Sequence, residues 1–68
     1  MNLFLNGNPR ELPEGATVRD AVAASGIPAL ARGVAVAVDR EVVPRSRWEQ
    51  TPLRDGQRIE VLEAVQGG

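Results

Sequence analysis

The chain has 68 residues, nine acidic and eight basic side chains, and a formal net charge of −1. It contains no cysteine, which excludes disulfides, thiolate nucleophiles and zinc–thiolate sites, and no histidine, the commonest general base. We therefore expect no enzyme activity and no metal site. No basic run supports nucleic-acid binding, and the N-terminal segment fits neither a signal peptide nor a membrane span. We therefore expect one small cytoplasmic domain with no nucleic-acid partner and no membrane partner.

The first residues predict a β-hairpin. Leu3 and Leu5 have the two-residue spacing of a strand with one buried face, and residues 6–8 (Asn-Gly-Asn) tolerate the positive φ of a tight turn. The return segment, residues 9–13, begins and ends with proline, which lacks the N–H group that an inner strand needs. We expect the second strand to be short and to lie at a sheet edge.

Residues 18–25 are predicted to form one helix. Thr17 is a suitable N-terminal capping residue, and Asp20 three residues later approximates a capping box. The apolar residues Val18, Ala21 and Val22 recur at helical spacing. Gly26 can adopt the left-handed conformation that ends helices, and Pro28 cannot continue one. The helix should therefore be about two turns long.

A second hairpin is predicted after the helix. Val34, Val36 and Val38 alternate with alanines, as expected for a strand that packs against a helix, so we expect all three valines in the core. Residues 39–40 form a plausible two-residue turn into a short strand at residues 41–43, which should lie near an edge.

The remaining segment should be irregular until the last strand. It contains Trp48, the only tryptophan, which we interpret as a lid over the core, with contact to a partner as the alternative. Residues 55–56 (Asp-Gly) mark a turn, and residues 57–63 resume alternation with Ile59 and Val61 on one face. This segment is the predicted final strand.

Two hairpins, one helix and a closing strand predict an α+β domain of the β-grasp (ubiquitin-like) type, with a mixed sheet of four to five strands. We expect this domain to span residues 1–63. Residues 64–68 should form a flexible C-terminal tail.

The tail ends in Gly67 and Gly68, whose missing Cβ atoms let the backbone enter a passage that any side chain would block. Five extended residues reach about 17 Å, enough to carry the terminal carboxylate into a partner's active site. The carboxylate of Gly68 would need activation, typically by adenylation, before sulfur could replace an oxygen and leave a thiocarboxylate. The alternative is a frayed terminus with no function.

The outward positions of the sheet give a candidate docking surface. If the alternate apolar residues face the helix, Phe4 and Leu62 point to the opposite face of the sheet, with Arg58 and Glu60 as a polar rim. The alternative is two isolated surface residues without a role.

Several segments together resemble the ThiS family, the sulfur carriers of thiazole formation in thiamin biosynthesis. These segments are residues 34–45 (VAVAVDREVVPR), Trp48, residues 53–56 (LRDG) and the final Gly-Gly pair. The family often has Asp where this chain has Gln57, a change that we expect an exposed strand-entry position to tolerate. The related small subunit of molybdopterin synthase commonly has Pro-Pro-Val where this chain has residues 63–65 (Glu-Ala-Val), which makes it the second choice.

The resemblance implies a β-grasp carrier that binds no cofactor and is not itself the catalyst. Its Gly68 would be adenylated with ATP by an E1-like enzyme of the ThiF type and then thiocarboxylated with sulfur from a donor such as a cysteine desulfurase or a rhodanese-type protein. It would then give the sulfur to a thiazole synthase of the ThiG type. Gly67 would thread into these partners, and Val65 and Gln66 would contact them by position.

Two functions of a different class also fit a small domain with a Gly-Gly end. One is a ubiquitin-like modifier, in which the activated Gly68 would form an isopeptide bond with a target lysine. The other is an interaction domain with an inert tail, for which removal of Gly67 and Gly68 would change nothing.

Overall fold

The structure, a computed structural model, describes residues 1–28 and 33–64. Its elements in chain order are β1 (Asn2–Leu5), β2 (Asn8–Glu11), α1 (Val18–Ser25), β3 (Val34–Val38), β4 (Glu41–Val43), a 3₁₀ helix (Arg45–Gln50) and β5 (Arg58–Glu63). The five strands form one sheet in the order β2-β1-β5-β3-β4. Strands β1 and β5 are parallel and the other neighbours are antiparallel, so the predicted mixed sheet and β-grasp fold are confirmed.

Both hairpins turn on two residues with positive φ, which the sequence predicts for the first hairpin, whereas for residues 39–40 it predicts only a two-residue turn. Asn6 and Gly7 have φ of 51° and 83°, and Asp39 and Arg40 have φ of 48° and 72°. Such turns match the twist of the strands they join, which is why they are favoured in two-residue hairpins. Strands β2 and β4, which leave these turns, lie at the two sheet edges.

Helix α1 begins and ends as its capping residues predict. The Asp20 carboxylate accepts the Thr17 backbone N–H at 2.8 Å and the Thr17 hydroxyl at 3.3 Å. Gly26 ends the helix in the left-handed conformation with φ of 86°, and its N–H donates to the Ala23 carbonyl at 3.3 Å. The short helix is therefore fixed at both ends by local hydrogen bonds.

The core lies between α1 and one face of the sheet. Its buried residues are Leu3, Leu5, Leu12, Ala16, Val18, Ala21, Val22, Val36, Val38, Trp48, Leu53, Ile59 and Val61. The prediction that Val34 is a core residue was only partly correct. Val34 is half-buried at the core margin because it lies at the end of β3, opposite Glu63 at the end of β5.

The segment around Trp48, predicted to be irregular, is a 3₁₀ helix that begins after Pro44. Trp48 is 4% exposed, and its Nε1 donates to the Val43 carbonyl at 2.9 Å. The Arg45 guanidinium lies 4.9 Å from the centre of the ring. The tryptophan thus packs into the core, as the lid interpretation expects.

The position of Gln57 differs from the exposed strand entry predicted for it. Gln57 is half-buried, and its Oε1 accepts the Arg54 N–H at 2.7 Å. The Gln57 N–H in turn donates to the Arg54 carbonyl at 3.2 Å. The glutamine side chain therefore helps to close the turn that leads into β5.

Candidate functional site

Strand β5, which leads directly to the C-terminus, is the central strand of the sheet. It pairs with β1 on one side and with β3 on the other. Ile59 and Val61 point into the core and are fully buried, whereas Arg58, Glu60 and Leu62 alternate with them on the other face. On the β1 side only Arg58 and Ile59 are paired, so the later residues of β5 are held mainly by β3 and by the buried Val61.

The four predicted docking residues lie on the same face of the sheet, which we call the outer face. Phe4 pairs in register with Arg58, and Glu60 and Leu62 follow at two-residue intervals along β5. At the usual rise per residue, Leu62 is about 13 Å along the strand from the level of Phe4. The residues therefore form a strip along β5 and not a single cluster.

Phe4 is less available than the sequence predicts. It is half-buried, and the Arg58 guanidinium lies 5.0 Å from the centre of its ring, in the range of a cation–π contact. Leu62, in contrast, is 62% exposed. Leu62 is therefore the stronger candidate for a partner contact.

Three further apolar residues on the outer face were not predicted as part of the docking surface. Ala35 pairs with Leu62, Ala37 pairs with Glu60, and Val42 pairs with Ala37 from the edge strand. Val42 is 74% exposed and Ala35 is also exposed. The signal was available, because inward-facing Val36 and Val43 force Ala35, Ala37 and Val42 to the other side. Apolar residues of β3 and β4 thus lie on one side of β5 on the outer face, and Ala35 is directly opposite Leu62.

A shallow groove lies at the opposite end of the outer face, near the two hairpin turns. Its lining residues are Phe4, Gly7, Asp39, Arg40, Arg58, Ile59 and Glu60. The Asp39 carboxylate accepts the Arg58 backbone N–H at 3.0 Å. Two carboxylates and two guanidinium groups leave the groove with no excess of either charge, so it offers no selective attraction to a phosphate group.

Clusters of metal-binding side chains and long apolar helices are both absent from the described part of the chain. Residues 1–28 and 33–64 contain no group of three or more His, Asp, Glu or Cys side chains placed to hold a metal ion. None of the helices in those two ranges has the length and apolar character needed to cross a membrane.

The C-terminal segment leaves the sheet next to Gly33, which immediately precedes β3. The N–H of Ala64 donates to the Gly33 carbonyl at 3.0 Å, which extends the pairing of β3 with β5 by one residue. The predicted tail residues Val65, Gln66, Gly67 and Gly68 lie outside the described residues. Ala64, the first residue of the predicted tail, is thus still bonded to the sheet, two residues after the exposed Leu62.

Comparison with known proteins gives concordant matches over nearly the whole chain. The model of the ThiS family matches residues 3–68. The sulfur carrier protein ThiS of Thermus thermophilus is 38% identical over 66 residues, which cover 97% of this chain and 98% of that protein. The crystal structure of the thiamine biosynthesis protein ThiS from Geobacter metallireducens superposes with a TM-score of 0.78 at 33% identity and covers 100% of both chains.

One relative of a different kind, a thiazole synthase, is much longer than the segment that it shares with this chain. A thiazole synthase of Paramagnetospirillum magneticum is 32% identical over 68 residues. The match takes in 100% of this chain but only 20% of that protein. The thiazole synthase therefore contains a segment similar to all 68 residues together with a larger part outside the match.

Proposed function

This chain belongs to the ThiS family, and from that premise we propose that it carries sulfur as a thiocarboxylate on Gly68 for thiazole formation in thiamin biosynthesis. The observation that supports this most strongly is the match to a sulfur carrier protein over almost the full length of both chains. The β-grasp domain is the docking body, and the tail is the part that reacts. In this proposal the chain is a cosubstrate of its partner enzymes and not a catalyst.

The first step we propose is activation of Gly68 by an E1-like enzyme of the ThiF type. A terminal carboxylate oxygen attacks the α-phosphorus of ATP, which forms an acyl adenylate and releases pyrophosphate. The activating enzyme and not this chain binds the ATP. The chain supplies an end without side chains at its last two positions, which can enter a narrow active site.

The second proposed step replaces AMP with sulfur. Hydrosulfide, or the terminal sulfur of a persulfide on a cysteine desulfurase or rhodanese-type donor, attacks the acyl carbon and displaces AMP. Hydrosulfide gives the thiocarboxylate directly, whereas a persulfide gives an acyl disulfide that a thiol then reduces. The chain has no cysteine, so Gly68 is the site at which it can hold this sulfur. We expect these steps in the cytoplasm, where ATP is available.

We further propose that the outer face docks the activating enzyme and a thiazole synthase of the ThiG type. The exposed Leu62 and Val42 and the polar Glu60 and Arg58 lie on this face, and Leu62 is two residues before the start of the tail. Ordering a tail costs roughly 1 to 2 kcal/mol per residue, so binding energy must come from the folded body. A docking surface beside the tail provides it. Val65, Gln66 and Gly67 would then extend into the partner.

The choice of thiazole synthase as acceptor is supported by the longer relative, in which a similar segment and the remainder of a thiazole synthase form one chain. Joining two modules raises their effective concentration, which benefits modules that must meet repeatedly. We infer that the 68 residues described above likewise deliver sulfur to a thiazole synthase.

Transfer of labelled sulfur tests this proposal. The chain is prepared as a C-terminal thiocarboxylate with heavy sulfur and mixed with the thiazole synthase of the same organism and its small-molecule substrates. We expect heavy sulfur in the thiazole and an oxygen carboxylate left on Gly68. If the label stays on the chain while the same synthase accepts sulfur from another ThiS protein, the proposed acceptor is wrong.

A further inference from the structure

Among the glycines that the structure describes, Gly33 is the one at which an added Cβ atom would meet another residue. A Cβ atom at Gly33 would lie 2.8 Å from the Cβ of Ala64, 3.6 Å from its N and 3.7 Å from its Cα. A contact of 2.8 Å is not tolerated, and the Ala64 Cβ cannot rotate away because it is attached directly to the backbone. Any side chain at position 33 would therefore displace the start of the tail.

Gly33 also makes the last hydrogen bond between the sheet and the C-terminal segment that the structure describes. Its carbonyl accepts the Ala64 N–H at 3.0 Å, one residue beyond the pair formed by Val34 and Glu63. Its φ of +73° is in the left-handed region, which favours glycine. The conformation that turns the chain into β3 thus presents this carbonyl to Ala64.

We propose that Gly33 is a positioning residue that sets the direction in which the reactive tail leaves the domain. The proposal rests on the sulfur-carrier function above. When the body is docked, the concentration of Gly68 at the partner's active site depends on where the tail is anchored and where it points. Fixing Ala64 against Gly33 raises that concentration, whereas docking affinity depends on the outer face. A change at Gly33 should therefore reduce kcat and leave KM unchanged.

The main test compares Gly33→Ala with Gly15→Ala, which is a matched control. Gly15 has φ of +88° and nothing within 4 Å of its would-be Cβ, so alanine there brings the same backbone strain without touching the tail. The rate of adenylation by the activating enzyme is measured from the release of pyrophosphate. We expect Gly33→Ala to lower kcat by about ten- to 100-fold, the upper value being the cost of misplacing a reacting group by about 1 Å, with KM within about two-fold. Gly15→Ala should keep both values.

A second comparison isolates the contact with Ala64. In the double variant Gly33→Ala, Ala64→Gly, the clashing Cβ of Ala64 is gone, so we expect most of the lost kcat to return. Ala64→Pro removes the N–H donor without strain at position 33, and it should lower kcat as Gly33→Ala does. This variant keeps the test decisive if Gly33→Ala does not fold.

Hydrogen exchange of the Ala64 amide in the free chain tests the anchor without any enzyme. We expect Gly33→Ala to speed this exchange several-fold, since the amide loses its acceptor, and Gly15→Ala to leave it unchanged. If the wild-type chain is never adenylated but exchange responds in this way, the proposed function fails while the anchor stands. Unchanged Ala64 exchange in Gly33→Ala, together with unchanged kcat in both Gly33→Ala and Ala64→Pro, would overturn the inference. A double variant no better than Gly33→Ala would overturn it as well.

Discussion

The side-chain amide of Asn6 bonds both backbone groups of Val61. Its Nδ2 donates to the Val61 carbonyl at 3.2 Å, and its Oδ1 accepts the Val61 N–H at 2.8 Å. The amide thereby continues the pairing of β1 with β5 after β1 has turned away, and Asn6 does this in the left-handed conformation of the hairpin turn. One side chain thus joins the first turn to the strand that leads to the tail.

We predict that Asn6→Gly lowers the free energy of unfolding by about 1 to 3 kcal/mol more than Asn8→Gly. Glycine keeps the left-handed conformation at position 6 and removes only the amide. Asn8 is a matched control, because its exposed amide makes one long contact of 3.5 Å to the Asn6 carbonyl. Urea unfolding followed by circular dichroism measures both. Equal losses would mean that the Val61 bonds contribute nothing.

The outer face should respond to a charge at Leu62. We predict that Leu62→Asp weakens binding to the activating enzyme at least about ten-fold, because a carboxylate would be buried where an apolar contact is made. Binding is measured by calorimetry. The control is Gln50→Asp, which adds the same charge at an exposed position of the 3₁₀ helix.

Leu62 is preferred to Phe4 for this test, since Phe4 is half-buried and its replacement would also cost stability. If Leu62→Asp and Gln50→Asp bind as tightly as the original chain, the outer face is not the docking surface. Thermal unfolding of both variants confirms that the fold is retained.

The two interpretations of Trp48 predict different results for Trp48→Phe. Because the Val43 carbonyl would lose the indole donor inside the fold, we expect the free energy of unfolding to fall by about 1 to 3 kcal/mol. Binding to either partner should not change at a temperature where the variant is folded. Normal stability combined with weaker binding would instead identify Trp48 as a partner contact.

The hairpins and the helix could be predicted from sequence because their signals are local. The first hairpin turn uses Asn6 and Gly7, which tolerate positive φ, and residues 39–40 fit a two-residue turn between two short strands. Gly26 ends the helix in the left-handed conformation expected of it. The outward position of Leu62 followed from alternation alone. In each case the residues that decide the structure are within a few positions of one another.

The remaining features depend on contacts between distant segments. Asn6 and Val61 are 55 positions apart, and nothing near either residue indicates that they bond. The approach of Gly33 to Ala64 likewise exists only because β3 and β5 are neighbours. The 3₁₀ helix was missed because its single buried residue, Trp48, gives no repeating apolar pattern. The outward positions of Ala35, Ala37 and Val42 could have been predicted by applying the same alternation to β3 and β4.

Intact-protein mass spectrometry tests the central claim most directly. The full-length chain and a variant without Gly68 are incubated with ATP, the activating enzyme of the same organism and a sulfur source. We predict an AMP adduct on the full-length chain, followed by the mass gain of one oxygen replaced by sulfur, and neither change in the shortened chain. An unmodified full-length chain, under conditions where the same enzyme adenylates another ThiS protein, would contradict the carrier function.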